Sequence, residues 1–404
     1  MRRKQLHARL IYMEYADNRK KLAGGLYVLA AYDEMQMQND MSASFRQEAN
    51  FYYLTGISSP SWRVIIDTVR GHTTLVAPRR SKVQLIFDGG LSAKDAIKIS
   101  NADEVINEDE FEERLRLLTK KHSMVYSFVD GADHGFVVNP AQKRLKSILD
   151  RTFISVSLCD KELAKARAIK QSYEIKHIMA AVKTTVSAFD NVKTQMSSFR
   201  YEYEIEAEFT HDFRKSGFKH AYEPIVASGK NACTLHYIEN DSRLTKRSVV
   251  LMDVGAFNAG YAADITRSYA FGAPTVRQIS VHRAVESAKN AITELIAPGR
   301  SIKEYVQQAN AIIAREISAL GLIANPDDIE GARRYCPHAI SHGLGLDVHE
   351  GLGGYDTFQP GMVLTVEPGI YIPEESLGIR LEDDILVTES KNTNLSRGLS
   401  TEIA

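Results

Sequence analysis

The stretch PHAISHGLGLDVHE places His338, His342 and His349 within fourteen residues. Imidazoles at that density can ligate a metal, move protons or simply pack. His338 and His342 are four apart, as on one helix face, but Pro337 precedes them and Gly343 and Gly345 follow. A zinc-binding helix is therefore not expected. From Leu344 the pattern alternates, with Leu344, Leu346 and Val348 on one face and Asp347 and His349 on the other. His342 shares the parity of the leucines, so a regular strand would hold it away from His349. Only a bend at the glycines could bring both to one point, and spacing alone leaves that open.

Carboxylates give a second signal. Asp253 follows VVLM, Asp264 sits inside GYAADITRSYAF, Glu367 lies between MVLTV and PGIY, and Glu382 follows GIRL. Each interrupts a run that otherwise reads as core strand. A buried carboxylate without a partner costs several kcal/mol. A salt bridge could satisfy any one of them; four in one region point to cations. The connection GAFNAGY between the two aspartates suits a hairpin, and paired antiparallel strands could aim both at one point. With one histidine added, the ligand charge is about −4, which two divalent ions balance, as in a dinuclear site sharing a water or hydroxide. An oxygen-rich set with one imidazole suits Mn²⁺ and tolerates Co²⁺ or Zn²⁺.

The elements that must hold these groups follow from periodicity. A chain of 404 residues fits two or three domains. Residues 1–160 read as an α/β domain: VIIDTV (64–69), TTLVAP (73–78), VQLIFDG (83–89) and FISVSL (153–158) are expected strands, and 107–121 an expected helix capped by Asn107 with Glu110. Residues 161–404 bring long amphipathic helices and the acid-bearing strands. One helix carries Ile175, Ile178, Met179, Val182, Val186 and Phe189 on its apolar face, with His177 as a surface residue. YEYEIEAEF (201–209) alternates like a strand, but Ile205, Phe209 and Phe213 are spaced by four and Gly217 follows Arg214 and Lys215. It therefore reads as a helix with a solvated acidic face. Further helices are expected over 275–299, stopped at Pro298-Gly299, and 301–321, with Ser301 and Glu304 as a capping box.

Composition excludes other classes. Net charge is −1 and pI about 6.9, with no basic tail, so no nucleic-acid partner is implied. Three cysteines and no C-x-x-C argue against a disulfide framework and for a reducing compartment. Cys233 and Cys336 read as packing residues. The N-terminal MRRKQLHARLIYMEYADNRKK is basic, carries Glu14 and Asp17, and reads poorly as a signal peptide. GGLYVLAAY, the longest uncharged apolar run, is far below the ~20 residues that span a bilayer. A cytoplasmic protein with no membrane partner is expected. ASGKNACT lacks the earlier glycine of a phosphate-binding loop. Asn392 to Ala404 reads as a polar tail without chemistry.

PHAISHGLGLDVHE resembles the histidine signature of the pita-bread metallopeptidases that act on Xaa-Pro bonds. NACTLHY (231–237), MDVGAFNAGYAADITRSY (252–269), LTVEPGIYIP (364–373) and GIRLEDDILVT (378–388) stand in that family's order, and FRQEANFYYLTGI (45–57) resembles the companion domain of aminopeptidase P and prolidase. Ala339 departs from the pattern, where family members usually carry Gly. The resemblance implies an α+β fold, with an N-terminal creatinase/aminopeptidase-P-like α/β domain and a C-terminal pita-bread catalytic domain. It implies two divalent ions on Asp253, Asp264, His342, Glu367 and Glu382, with Glu367 also accepting a proton from the attacking water. His236 is expected on the scissile carbonyl oxygen, His349 on the residue after it and His338 on the proline side. Arg380 and Tyr371 match a network that orients Asp253, although a plain core salt bridge would explain Arg380 equally well. The implied activity is an aminopeptidase cleaving peptides with proline in second position through a metal-bridging hydroxide. The implied assembly is a homodimer or homotetramer. Prolidase, confined to dipeptides, is the nearest alternative. A non-catalytic peptide-binding protein on this fold is disfavoured by the complete ligand set.

Overall fold

The computed structural model describes residues 15–128 and 138–404; most of the basic N-terminal stretch read above, residues 1–14, lies outside them. The chain divides into two compact units, Met1–Arg167 and Ala168–Ala404.

The first unit is built on a six-stranded mixed sheet. Its strands are β1 (Leu26–Ala30), β4 (Arg63–Asp67), β5 (His72–Ala77), β6 (Glu104–Asn107), β7 (Met124–Ser127) and β8 (Ser155–Leu158). A separate hairpin, β2 (Gln36–Gln38) and β3 (Met41–Ser42), lies between the first two. The order is β6-β5-β4-β1-β7-β8, with the β5-β4 and β4-β1 pairings antiparallel and the other three parallel. Leu26, Val28, Ile65 and Val76 of the sheet pack with Phe111 and Leu115 of one helix and Leu145 and Leu149 of another.

Two local expectations fail here. VQLIFDG is not a strand but the helix Lys82–Asp88. Ser81 accepts from the Gln84 N–H at 3.1 Å while the Gln84 side chain accepts from the Ser81 N–H at 2.8 Å, and Gly89 ends the turn at φ +68°. The apolar run has no sheet to join among the described residues: Ile86 and Phe87 are each 81% exposed. Capping therefore outweighed β propensity. Asn107 does not cap its helix; its amide donates to the Glu110 carboxylate at 3.3 Å instead.

The second unit carries its strands in small antiparallel sheets. β9 (Lys219–His220), β12 (Ala256–Asn258) and β13 (Tyr261–Ala262) form one; β10 (Ile225–Ser228), β11 (Val249–Val254) and β14 (Ile265–Ala270) form another. A third contains β15 (Val363–Val366), β18 (Asp383–Val387) and β19 (Asn392–Asn394), and β16 (Gly369–Ile372) pairs with β17 (Leu377–Arg380). The helices Val276–Thr293 and Ile302–Ala319 close the main core, where Val285, Ile292, Ile313 and Ile317 meet Leu364, Ile370, Ile379 and Ile385. Ser301 accepts from the Glu304 N–H at 3.3 Å, half of the expected capping box.

YEYEIEAEF is helical, within Glu202–Lys215, and Ile205, Phe209 and Phe213 are fully buried. Its acidic face is not wholly solvated, because Glu202 is 0% exposed. In the neighbouring helix Ser172–Gln195, Ile178, Val182 and Phe189 are buried as expected, joined by Ala181, Thr185 and Ala188, whereas Met179 is 50% exposed and leaves the stripe. His177 is half-buried and stacks on Tyr261 at 5.8 Å between ring centres, so it is a packing residue rather than a surface one. The C-terminal tail is also structural: Asn394 and Ser396 donate to the buried Asp383 at 2.9 and 2.8 Å. No described helix is long and apolar enough to cross a membrane.

Candidate metal centre

The four carboxylates flagged above sit at or beside strand ends. Asp253 lies one residue from the end of β11, and Asp264 immediately precedes β14. β11 and β14 pair antiparallel with Asp253 opposite Thr266, which puts Asp264 diagonally across on the same face. The GAFNAGY connection forms the β12–β13 hairpin. Glu367 falls in the break between β15 and β16, and Glu382 in the break between β17 and β18. At these breaks the side chains leave the ladders and converge.

His342 is set beside them by β15. Its N–H donates to Thr365 Oγ1 at 3.1 Å, its carbonyl accepts from the Thr365 N–H at 2.9 Å, and Glu367 N–H donates to the Ile340 carbonyl at 2.9 Å. His342 Nε2 then lies 3.3 Å from Glu367 and 3.5 Å from Asp264. The bend required at the glycines exists. Gly343 and Glu350 exchange backbone hydrogen bonds of 2.9 and 2.8 Å, closing the intervening residues into a loop. A Cβ on Gly343 would stand 2.9 Å from the Glu350 carbonyl oxygen, so glycine is needed there. The Glu350 carboxylate turns back to accept from the Leu346 N–H at 2.9 Å and pairs with buried Lys170 at 2.9 Å. His349 thereby returns to His342, with ring centres 4.4 Å apart.

The donor set fits divalent cations. Asp253, Asp264 and Glu382 each offer an oxygen within 4.8 Å of the others; so do His342, Glu367 and Glu382, and also Asp264, His342 and His349. Burial, with crowding by neighbouring carboxylates, holds Asp264 and Glu382 well above the usual carboxylate range. Burial and the charge of Asp253 push Glu367 up to about 8. Such a cluster is unfavourable when fully ionised and is relieved by positive charge. Burial lowers His342 to about 4, so it is neutral, as a ligand must be. Its Nδ1–H donates to the Gly343 carbonyl at 3.0 Å, which leaves the Nε2 lone pair facing the carboxylates.

A hydrogen-bonded chain backs the cluster. Arg380 donates to Asp253 at 2.6 Å and to the Tyr371 hydroxyl at 2.7 Å, and that hydroxyl donates to His338 Nε2 at 2.8 Å. His338 Nδ1–H donates to the Ala339 carbonyl at 2.8 Å. Burial and then Arg380 lower His338 to about 4, consistent with its accepting role. The Arg380–Asp253 pair is thus a buried salt bridge and an orienting contact at once. His236 is exposed and lies within electrostatic range of His338 and His349.

Sequence reading missed several supporting groups. The Tyr222 hydroxyl lies 2.6 Å from Oδ1 of both Asp253 and Asp264. Thr266 donates to Glu382 at 2.7 Å and receives Arg380 Nε at 3.2 Å. Asp384 accepts from the Asp264 N–H at 3.2 Å, and its other oxygen is buried without a hydrogen-bond partner among the described residues. Buried Glu202 ties down the segment bearing His236, accepting from the Ser228 N–H at 2.6 Å, the Tyr237 hydroxyl at 2.8 Å and the Ser242 N–H at 2.9 Å. Asp384 was legible as one more acid on an apolar strand; nothing local marks Tyr222 or Thr266.

Comparison with known proteins agrees with this geometry. The model of metallopeptidase family M24 matches residues 176–389, and that of the aminopeptidase P N-terminal domain matches residues 1–126. The chain is 31% identical to Xaa-Pro aminopeptidase 3 of Mus musculus, over 91% of this chain and 77% of the mouse protein. It is 31% identical to the Xaa-Pro aminopeptidase of Haemophilus influenzae, over 92% of this chain and 90% of that protein. A zinc-substituted E. coli aminopeptidase P in complex with product superimposes with a TM-score of 0.85 at 27% identity, covering 98% of this chain and 96% of that one. With its M24 match spanning more than half of its length, preceded by an aminopeptidase P N-terminal domain, the chain belongs to metallopeptidase family M24.

Proposed function

We infer that the chain is a metal-dependent Xaa-Pro aminopeptidase, a hydrolase that removes the first residue from peptides with proline in second position. The observation that carries this reading is the convergence of Asp253, Asp264, His342, Glu367 and Glu382 from separate strand breaks onto one buried cluster crowded with acids. These five side chains would hold two divalent ions, with Mn²⁺ our assignment from the oxygen-rich donor set. When bound, the ions supply the Lewis acidity that makes water nucleophilic near neutral pH.

The residues do the rest. Glu367, which bound cations would hold ionised, takes the proton from the attacking water and passes it towards the departing proline nitrogen. That nitrogen bears no hydrogen in the substrate, so binding cannot use it as a donor. His236 donates to the scissile carbonyl oxygen and stabilises the charge that develops there. His349, next to His342, contacts the residue after the scissile carbonyl. His338 faces the proline side and is kept neutral by burial and by Arg380, while its Nε2 accepts from the Tyr371 hydroxyl. All three cysteines are free, which suits a reducing compartment, and we place the protein in the cytoplasm as a homo-oligomer.

The test is turnover of Xaa-Pro-Xaa tripeptides beside Xaa-Pro dipeptides, with and without chelation. Tripeptide cleavage that chelation abolishes is expected. Activity confined to dipeptides would overturn the aminopeptidase assignment. Glu367→Gln should lower turnover by about 10²- to 10⁴-fold while leaving the far-UV spectrum intact.

A further inference from the structure

A second pocket, of about 590 Å³, opens on the catalytic unit. It lies at the far end of the β10–β11 ladder from the carboxylates: Ser228, on its wall, pairs with Val250, whereas Asp253 pairs with Ile225. Three residues of strand separate the two ends by about 10 Å. The wall carries Lys230, Arg243, Lys246, Arg247 and Arg277 against a single acid, Glu375. Hydroxyls and amides make up nearly all of the remainder, with one leucine.

Arg277 and Glu375 neutralise each other, with contacts of 2.8 Å from both Nε and Nη2. The other four cations make no side-chain hydrogen bond or ion pair with any described residue. Three of them fall within RLTKR, residues 243–247, of a chain whose overall charge is only −1. Unanswered like charges around one concavity repel each other and draw in anions.

The backbone carries a related signal. Arg247 has φ +70°, a left-handed conformation that glycine adopts freely and arginine does not. Its carbonyl is held by the Gln278 amide at 2.6 Å. The same Gln278 closes the cap with Thr275 at the start of the Val276–Thr293 helix. A strained arginine is thus fixed at the pocket beside a helix start, where the helix dipole is positive.

We propose that this pocket binds a small oligophosphate, either free or as the phosphate chain of a nucleotide. Guanidinium forks match phosphate oxygens, and the hydroxyls and amides supply further donors. Four unpaired cations exceed what a single phosphate group neutralises. The site is independent of the peptidase reading.

Equilibrium dialysis of the metal-loaded full-length protein with labelled pyrophosphate, and separately with labelled ATP, tests this. Saturable binding is expected, weakened at least about tenfold in K246A/R247G, and retained in the protein stripped of metal, which excludes capture at the metal centre. R247G relieves the backbone strain, so the double variant should fold with an undiminished Tm and keep its probe-free peptidase activity. Tighter ATP than pyrophosphate binding identifies a nucleotide; equal affinities identify the free oligophosphate. Absence of saturable binding at millimolar probe, unchanged affinity in the double variant, or equal affinity for a hexaglutamate peptide would overturn the proposal.

Discussion

Tyr222 places one hydroxyl between Oδ1 atoms of two buried aspartates, 2.6 Å from each. It has one proton to give, so the pair stays crowded, yet it keeps both carboxylates aimed at a common point. Removing it should loosen that aim without emptying the site. Tyr222→Phe is expected to weaken metal affinity by about 10- to 100-fold, read by metal titration, while saturating metal restores most of the turnover. Unchanged metal affinity would show that the strand breaks alone fix the aspartates. Residue-level reading had found the acids because each violates the burial rule for its strand. It missed Tyr222 because a tyrosine in HAYEPIV violates nothing.

Among the elements, the loop from Gly343 to Glu350 decides whether His349 reaches the cluster. Its closure rests on Glu350, whose carboxylate is held by Lys170 with both side chains nearly buried, at 2% and 5% exposure for Lys170 and Glu350. Removing one partner of a buried pair costs about 3–5 kcal/mol, because the other charge is left uncompensated. Lys170→Ala should therefore lower thermal stability by that order and raise KM more than it lowers kcat, since the loop positions a substrate-contacting histidine. Gly343→Ala meets backbone rather than a movable side-chain end, and should cost about 1–3 kcal/mol by differential scanning calorimetry. A neutral Gly343→Ala would mean the loop relaxes freely, and the account of its closure would fail. A regular strand would hold His342 and His349 apart; the pairing of Gly343 with Glu350, seven residues on, cancels the alternation. Long-range pairing of this kind is invisible to periodicity. Capping is the converse case: Ser81 and Gln84 made a helix of VQLIFDG from three residues of local chemistry that the apolar run obscured.

For the whole molecule, the crowded carboxylates link stability to pH and metal. Glu367 stands at about 8 in the folded, metal-free protein, against an ordinary value of 4.5. A carboxyl raised by folding binds more protons folded than unfolded, so stability falls as pH rises between those values. Asp264 and Glu382 shift in the same direction. The metal-free protein should thus lose Tm steadily from about pH 4.5 to 8, and divalent metal should recover it most at the alkaline end, where the ions replace protons. A metal-free Tm that climbs across this window would contradict the cluster's electrostatics. The counter-case is Asp383, buried next to Glu382 in sequence but held below its ordinary range, against its burial, by Arg267 and Lys289. Adjacent acids in LEDDILV face opposite environments, which no sequence pattern distinguishes.

What the chain alone determined is the chemistry available: acids placed where apolar strands should run, a glycine-flanked histidine stretch, and a family's motifs in order. Those features are local, and burial makes each one costly enough to notice. Only the tertiary structure decided which of these groups meet. Convergence depends on breaks in separate strands of the second unit, on the backbone pairing that folds His349 back, and on Tyr222, Thr266 and Glu202, whose neighbours lie tens to more than a hundred residues away in sequence. Contacts at that separation are fixed by packing of the whole core, and no single segment encodes them.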